Sequence, residues 1–150
     1  MGEKYVDAMP LAAALLRRPT VLMRHEVMAG LAAAGYADIL PAHLGVFQHP
    51  GPDGMRPGVL ATRTYASKQA MNHLLHQLEE GGYLVRETAS GDRRTRIVRL
   101  TERGWDAAGV IQQTMLDVDK AWEGALGEET YRELRHGLER LEGVLDTVRL

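Results

Sequence analysis

Cysteine is absent from the 150-residue chain, which excludes a disulfide framework, a thiolate metal site and a thiol switch. Long apolar runs are missing as well: none approaches the roughly 20 residues that span a bilayer. The N-terminus has no charged-then-apolar signal pattern, and Met1-Gly2 is followed by Val6 where a myristoylation site needs Ser or Thr. The expected location is therefore cytoplasmic. Serine is scarce. Ser67 and Ser90 are the only two, and neither stands in a Gly-x-Ser-x-Gly setting. No glycine-rich phosphate loop follows a strand. His25-Glu26 opens like a zinc-protease motif, but position 29 holds Ala29. No catalytic constellation is left, so the chain reads as a non-enzyme.

What is present is ordinary in amount and uneven in distribution. A hydrophobic fraction of 45% and a charged fraction of 25% suit a globular chain, long enough for one domain or half of an intertwined dimer. The net charge of −2 argues against a nonspecific DNA coat. Residues 62–104, however, carry eight Lys/Arg against five acids, a local +3, and residues 105–150 carry five against ten, a local −5. A basic middle and an acidic tail fit one surface facing DNA and another facing away.

The middle is organised around one helix, expected from Ser67 to the Gly81-Gly82 stop. Met71, Leu74, Leu75 and Leu78 recur at i, i+3, i+4 and i+7 and form one apolar stripe. Lys68, Gln69, Asn72, His73 and His76 lie on the other side, and the acids Glu79 and Glu80 are held back to the last turn. Ser67 can cap the helix, and glycine ends it because it takes the left-handed conformation at low cost. Asn and Gln can bond adenine edges bidentately, while Lys and His donate to guanine or phosphate. A solvated helix face is the bland alternative for the helix alone.

Two β-rich runs then flank a Ser90-Gly91-Asp92 turn, a hairpin signal. Its tip and returning strand hold Arg93, Arg94, Arg96 and Arg99, placed to meet phosphates or the minor groove. A base-reading helix followed at once by a basic hairpin describes a winged helix-turn-helix.

The same residues carry a family resemblance. Lys68-Gln69-Ala70-Met71, Leu78-Glu79, Gly82-Tyr83, Gly91-Asp92-Arg93-Arg94 and Leu100-Thr101-Glu102-Arg103-Gly104 resemble the MarR family of bacterial transcription regulators, most strongly over residues 58–104. The resemblance implies a mainly α fold with a small β-wing. It divides the chain into a winged-helix DNA-binding region at about 37–104 and dimerisation helices at about 10–35 and 105–150, all in one MarR-type domain spanning 1–150. It also implies a homodimer formed through the first and last helices, and small, often phenolic, effectors bound near the junction of the two regions. His43, Phe47, Met23 and Trp105 are conceivable pocket residues. One departure stands out: Tyr65 occupies the place where a Gly usually makes the turn before the recognition helix. A bulky residue with φ above zero is strained, which leaves that turn open.

Around this centre, residues 1–9 read as an arm and Pro10 as the first position of a helix. Leu11, Leu15, Leu16, Leu22, Val27, Met28 and Leu31 suggest a long apolar stripe, with Pro19 predicting a kink or restart and Gly35 an end. Pro41 opens a short helix with Leu44, Val46 and Phe47 inward, and residues 50–54 make a dense turn signal. Met55-Arg56 reads as a stub of strand and Gly58–Thr64 as the first helix of the pair. Thr101-Glu102 starts a helix to about Ala125, with Ala108, Ile111, Met115, Val118 and Trp122 at helical spacing. After Leu126-Gly127, a last helix carries Tyr131, Leu134, Leu138, Leu141 and Leu145 at near-heptad spacing.

The assignments that follow are specific. Lys68, Gln69, Asn72, His73 and His76 face the major groove, and Ser67 caps the helix and donates to phosphate. Arg94 lines the minor groove, supported across the wing by Asp92, while Arg93 and Arg96 neutralise phosphates. No metal and no cofactor are expected: His73 and His76 lack a third ligand on their face. The partners are double-stranded operator DNA, a second copy of the chain and a small-molecule effector. The reading is a ligand-responsive, homodimeric repressor. A winged-helix protein-interaction module and a metal-responsive DNA-binding regulator are the alternatives.

Overall fold

The computed structural model describes residues 11–48, 51, 53–89, 91 and 96–148. Six helices and one β-ribbon follow in order: α1 (Ala12–Ala33), a 3-10 turn (Pro41–His43) running into α2 (Leu44–Phe47), α3 (Pro57–Arg63) and α4 (Lys68–Glu80). The ribbon strands β1 (Leu84–Thr88) and β2 (Arg96–Leu100) come next, then α5 (Glu102–Leu126) and α6 (Glu128–Glu142). Among the described residues no helix is long and apolar enough to cross a membrane.

The core sits where α2, α3, α4, the ribbon and the facing parts of α1 and α5 converge. Met71, Leu75 and Leu78 of α4 are buried, as the 3.6-residue spacing predicts. They pack in one cluster with Leu31, Ile39, Val46, Leu60, Val98 and Ile111. Burying each such side chain is worth about 1.5–3 kcal/mol. Leu74, the fourth residue of the expected stripe, is only half-buried.

The β1–β2 pairing is antiparallel, Leu84 opposite Leu100 and Arg86 opposite Val98. Since side chains alternate faces along a strand, Leu84, Arg86, Val98 and Leu100 share the core-facing side. Met55 adds a single bridge to Val98, donating at 2.9 Å and accepting at 2.8 Å. This is the expected strand stub, reduced to one residue.

Of the kink or restart expected at Pro19, the restart does not occur: α1 is one helix with the proline inside it. Proline has no N–H to offer the Leu15 carbonyl, and Leu15 lies on the exposed side of the helix. Thr20 Oγ1 donates to the Leu16 carbonyl at 2.8 Å. The long apolar stripe is also buried only in part. Val27 and Leu31 enter the core, whereas Leu11, Leu15, Leu16 and Leu22 are exposed. Pro10 and the arm before it lie outside the described residues.

The C-terminal pair shows the same pattern. Thr101 caps α5, accepting from the Gly104 N–H at 3.1 Å, and Ala107 and Ile111 are buried. Farther along, Met115 and Leu116 are exposed. Helix α6 has no buried residue, and its Leu134, Leu138 and Leu141 are each 41% exposed, with Leu145 beyond it at 44%.

Candidate nucleic-acid interface

Helix α4 turns its sequence-predicted polar face outward. Ser67, Lys68, Gln69, Asn72, His73 and His76 are all exposed, and Ser67 Oγ accepts from the Ala70 N–H at 3.1 Å. The surface combines one ammonium, two amides and two imidazoles, free of carboxylates until the last turn. There His76 Nε2 lies 3.6 Å from Glu80, while Glu79 is held by Arg86. Both amides can donate and accept at once, as base-edge recognition requires.

The turn that presents this helix resolves the question raised by Tyr65. Tyr65 adopts φ +55°, the one positive φ among described non-glycine residues. The Ala66 N–H bonds back to the Ala61 carbonyl at 2.9 Å and the Tyr65 N–H to Thr62 at 3.3 Å. These bonds make a Schellman closure of α3 with tyrosine in the position glycine usually takes. Helix α1 closes the same way at Gly35 (φ +92°), and α4 at Gly82 (φ +76°). The turn is therefore formed, at the cost of a strained and 90% exposed tyrosine.

Behind the face, α4 is fixed on two sides. His43, only 2% exposed, accepts the Leu40 N–H at Nδ1 (3.0 Å) and meets Gln77 Oε1 at Nε2 (3.0 Å). Because Nδ1 must accept from a backbone donor, the neutral ring carries its proton on Nε2 and donates it to Gln77. His43 therefore secures α4 and, unlike Met23, Phe47 and Trp105, lines none of the described clefts.

Just past α4, the Tyr83 hydroxyl donates to Asp38 at 2.5 Å and accepts from Arg103 Nη2 at 2.9 Å. Arg103 stacks over the rings of Tyr83 (4.5 Å) and Tyr36 (5.4 Å), a cation–π arrangement. Burial first, and then the Asp38 hydrogen bond, push the Tyr83 hydroxyl up to about 12. Sequence reading missed this brace. Tyr83 and Arg103 stand in the Gly82-Tyr83 and Leu100–Gly104 motifs, but nothing local points to Asp38, 45 residues away.

The Leu100–Gly104 motif itself has a steric reason. Thr101 donates to the Gly82 carbonyl at 2.6 Å while capping α5. A Cβ on Gly104 would stand 2.0 Å from the Tyr83 carbonyl oxygen, so only glycine permits this approach of α5 to the end of α4.

In the wing, Arg96 is exposed at the start of β2. Asp92, Arg93 and Arg94, the expected wing support and wing contacts, lie outside the described residues. The basic count over 62–104 overstates the charge available to DNA, because Arg86 is bound to Glu79, Arg99 to Glu87 at 2.9 Å, and Arg103 to the tyrosine brace. No group of three or more candidate metal ligands occurs among the described residues.

Two clefts flank the junction of the helices. One of about 320 Å³ lies between α1, α2, the α3–α4 turn and α5, walled by Met23, Leu44 and Met115 with Arg24, Arg63 and Tyr65 on its border. A larger one of about 610 Å³ is lined by Phe47, Gln48, Trp105, Ile111, Met115 and Leu116.

Comparison with known proteins agrees with this geometry. The MarR family model matches residues 44–95. The HTH-type transcriptional repressor Rv2887 of Mycobacterium tuberculosis is 30% identical over 127 residues, 85% of this chain and 90% of that protein. The transcriptional activatory protein BadR of Rhodopseudomonas palustris is 29% identical over 110 residues, 72% of this chain. That match spans only 61% of BadR's own length. Among solved structures, Rv2887 in complex with salicylic acid superposes with a TM-score of 0.65 at 28% identity, covering 90% of this chain and 98% of that one. The repressor CouR, bound to a 23-mer DNA duplex, shares the fold at a TM-score of 0.67 and 20% identity, with 88% and 92% covered. These relatives are regulators rather than enzymes, and the mainly helical winged fold is theirs. The chain is a transcription regulator of the MarR family.

Proposed function

We propose that this regulator binds double-stranded operator DNA in a sequence-specific manner as a homodimer and acts as a ligand-responsive repressor in the cytoplasm. The observation that carries the reading is the outward face of α4, where Lys68, Gln69, Asn72, His73 and His76 stand exposed behind the Ser67 cap. In this role the face enters the major groove. Arg93 and Arg96 meet phosphates, and Arg94 lines the minor groove with Asp92 beside it. CouR, of the same fold, has been solved on a DNA duplex.

Assembly follows from area that one chain leaves uncovered. Leu11, Leu15, Leu16 and Leu22 on α1, and Leu134, Leu138, Leu141 and Leu145 on and beyond α6, are exposed. Apolar stripes of this length mark an interface, and a two-fold dimer buries both at once. Residues of about 37–104 then form the DNA-binding region, and about 10–35 and 105–150 the dimerisation helices.

The effector site is assigned to the cleft of about 320 Å³ bordered by Arg24, Arg63 and Tyr65. Two guanidinium groups beside apolar walls suit a small aromatic carboxylate, and Rv2887 has been solved with salicylic acid. The test is selection of bound sequences from a random DNA pool by the purified protein, with and without salicylate. Enrichment of a palindromic motif supports the reading; a pool that stays random overturns it.

A further inference from the structure

We infer that the Glu79–Arg86 pair is a positioning device that fixes the angle between the recognition helix and the wing, so that both engage one operator as a unit. The inference rests on the DNA-binding reading above and adds to it a determinant of specificity: the spacing between the helix contacts and the wing contacts.

Helix α4 passes into β1 through Gly81-Gly82-Tyr83, with Gly82 at φ +76°. Backbone bonds and the Tyr83 brace hold the turn itself, and the Glu79–Arg86 pair adds a direct side-chain tie from the helix to the ribbon beyond it. Arg86 projects from the core-facing side of the ribbon, opposite Val98. Its Nε and Nη2 both lie 3.0 Å from one oxygen of Glu79 in the last turn of α4. The Arg86 side chain is 19% exposed and that of Glu79 37%, so the pair is partly screened from solvent. Two donors on one acceptor restrict both distance and angle. From this point outward, Glu87 and Arg99 pair across the strands at 2.9 Å. Helix, first strand and second strand are thus joined in series by two charge pairs.

Neither partner of the first pair serves DNA directly. Arg86 faces the core, and Glu79 is an acid on the DNA-reading helix, where its charge opposes phosphate. This gives the inference a sign of its own. If Glu79 were only a surface acid, its neutralisation would tighten binding by removing repulsion. If it positions the wing, neutralisation weakens binding.

The experiment uses the full chain and an operator obtained by selection from a random pool. Wild type, Glu79→Gln, Arg86→Lys and the charge swap Glu79→Arg with Arg86→Glu are compared by titration and by two footprints. Hydroxyl-radical protection reads the minor groove, and dimethyl sulfate protection reads the major groove. Thermal melting of each sample checks folding. We expect each single change to weaken operator binding about tenfold, to lose minor-groove protection at the flanks and to keep major-groove protection. The swap should restore the flank protection, which a general loss of stability would not allow. Arg86→Lys keeps the charge and serves as the second variant where Glu79→Gln melts early. Tighter binding by Glu79→Gln, or single variants with an unaltered footprint, overturns the inference alone. A wild type that protects no selected DNA overturns the DNA-binding reading with it.

Discussion

Replacing Tyr65 by glycine should make the protein more stable. A non-glycine residue in the left-handed region costs about 1–2 kcal/mol, and Tyr65 sits there at φ +55°. The ring is 90% exposed, so its removal forfeits little packing. Glycine returns part of the gain, about 0.5–1 kcal/mol, through the larger entropy of its unfolded chain. The net expectation is a stabilisation of about 0.5–1 kcal/mol, or a rise in Tm of about 1–4 °C for a chain of this size. The Ala66-to-Ala61 bond that closes the turn is between backbone atoms and should survive. Tyr65→Asn should shift stability in the same direction by less, because asparagine tolerates this conformation better than tyrosine. The assay is equilibrium urea unfolding at one fixed protomer concentration, since a dimer's stability depends on concentration. A lower midpoint for Tyr65→Gly would refute the reasoning, and would point to packing of the ring across the proposed dimer.

Gln69→Ala or Asn72→Ala should each cost about 1–3 kcal/mol on the best operator and relax preference at particular bases, whereas Arg94→Ala should weaken good and poor sites alike and flatten the salt dependence. Titration against single-base operator variants at several salt concentrations checks this, and unchanged affinity and preference for both amide variants would refute it. Gly104→Ala should destabilise by about 1–3 kcal/mol or more, since the new methyl meets the Tyr83 carbonyl at 2.0 Å; a wild-type urea midpoint would contradict it. The Tyr83 hydroxyl, raised to about 12, stays protonated in the fold after an unfolded tyrosine has ionised near 10. Its contribution is therefore complete below about pH 10 and lost as pH rises towards about 12; stability across that range should fall less steeply in Tyr83→Phe than in wild type. Deleting residues 128–150 should abolish dimerisation and tight operator binding, as sedimentation and titration would report.

Local pattern alone determined much of this protein. The 3.6-residue recurrence of Met71, Leu75 and Leu78 set which side of α4 is buried, and so which side is left for Lys68, Gln69, Asn72, His73 and His76. Caps at Ser67 and Thr101 and the stop at Gly82 were legible for the same reason: each rests on bonds a few residues apart. The steric warning at Tyr65 was legible too, but not its outcome, because the strain of φ +55° is balanced by a turn bond that exists only once α3 is folded. Tertiary structure decided what composition could not. Counting charge made Arg86, Arg99 and Arg103 look available to phosphate; strand register and packing gave them to Glu79, Glu87 and the Tyr83–Asp38 brace. Periodicity made α1 one long stripe, yet only its Val27–Leu31 end reaches the core, because a helix of 22 residues outruns the small body it packs on. A repeating apolar pattern tells a chain which face to cover. Whether that face is covered by the same chain or left open to another depends on where the other elements end, and that is fixed only in three dimensions.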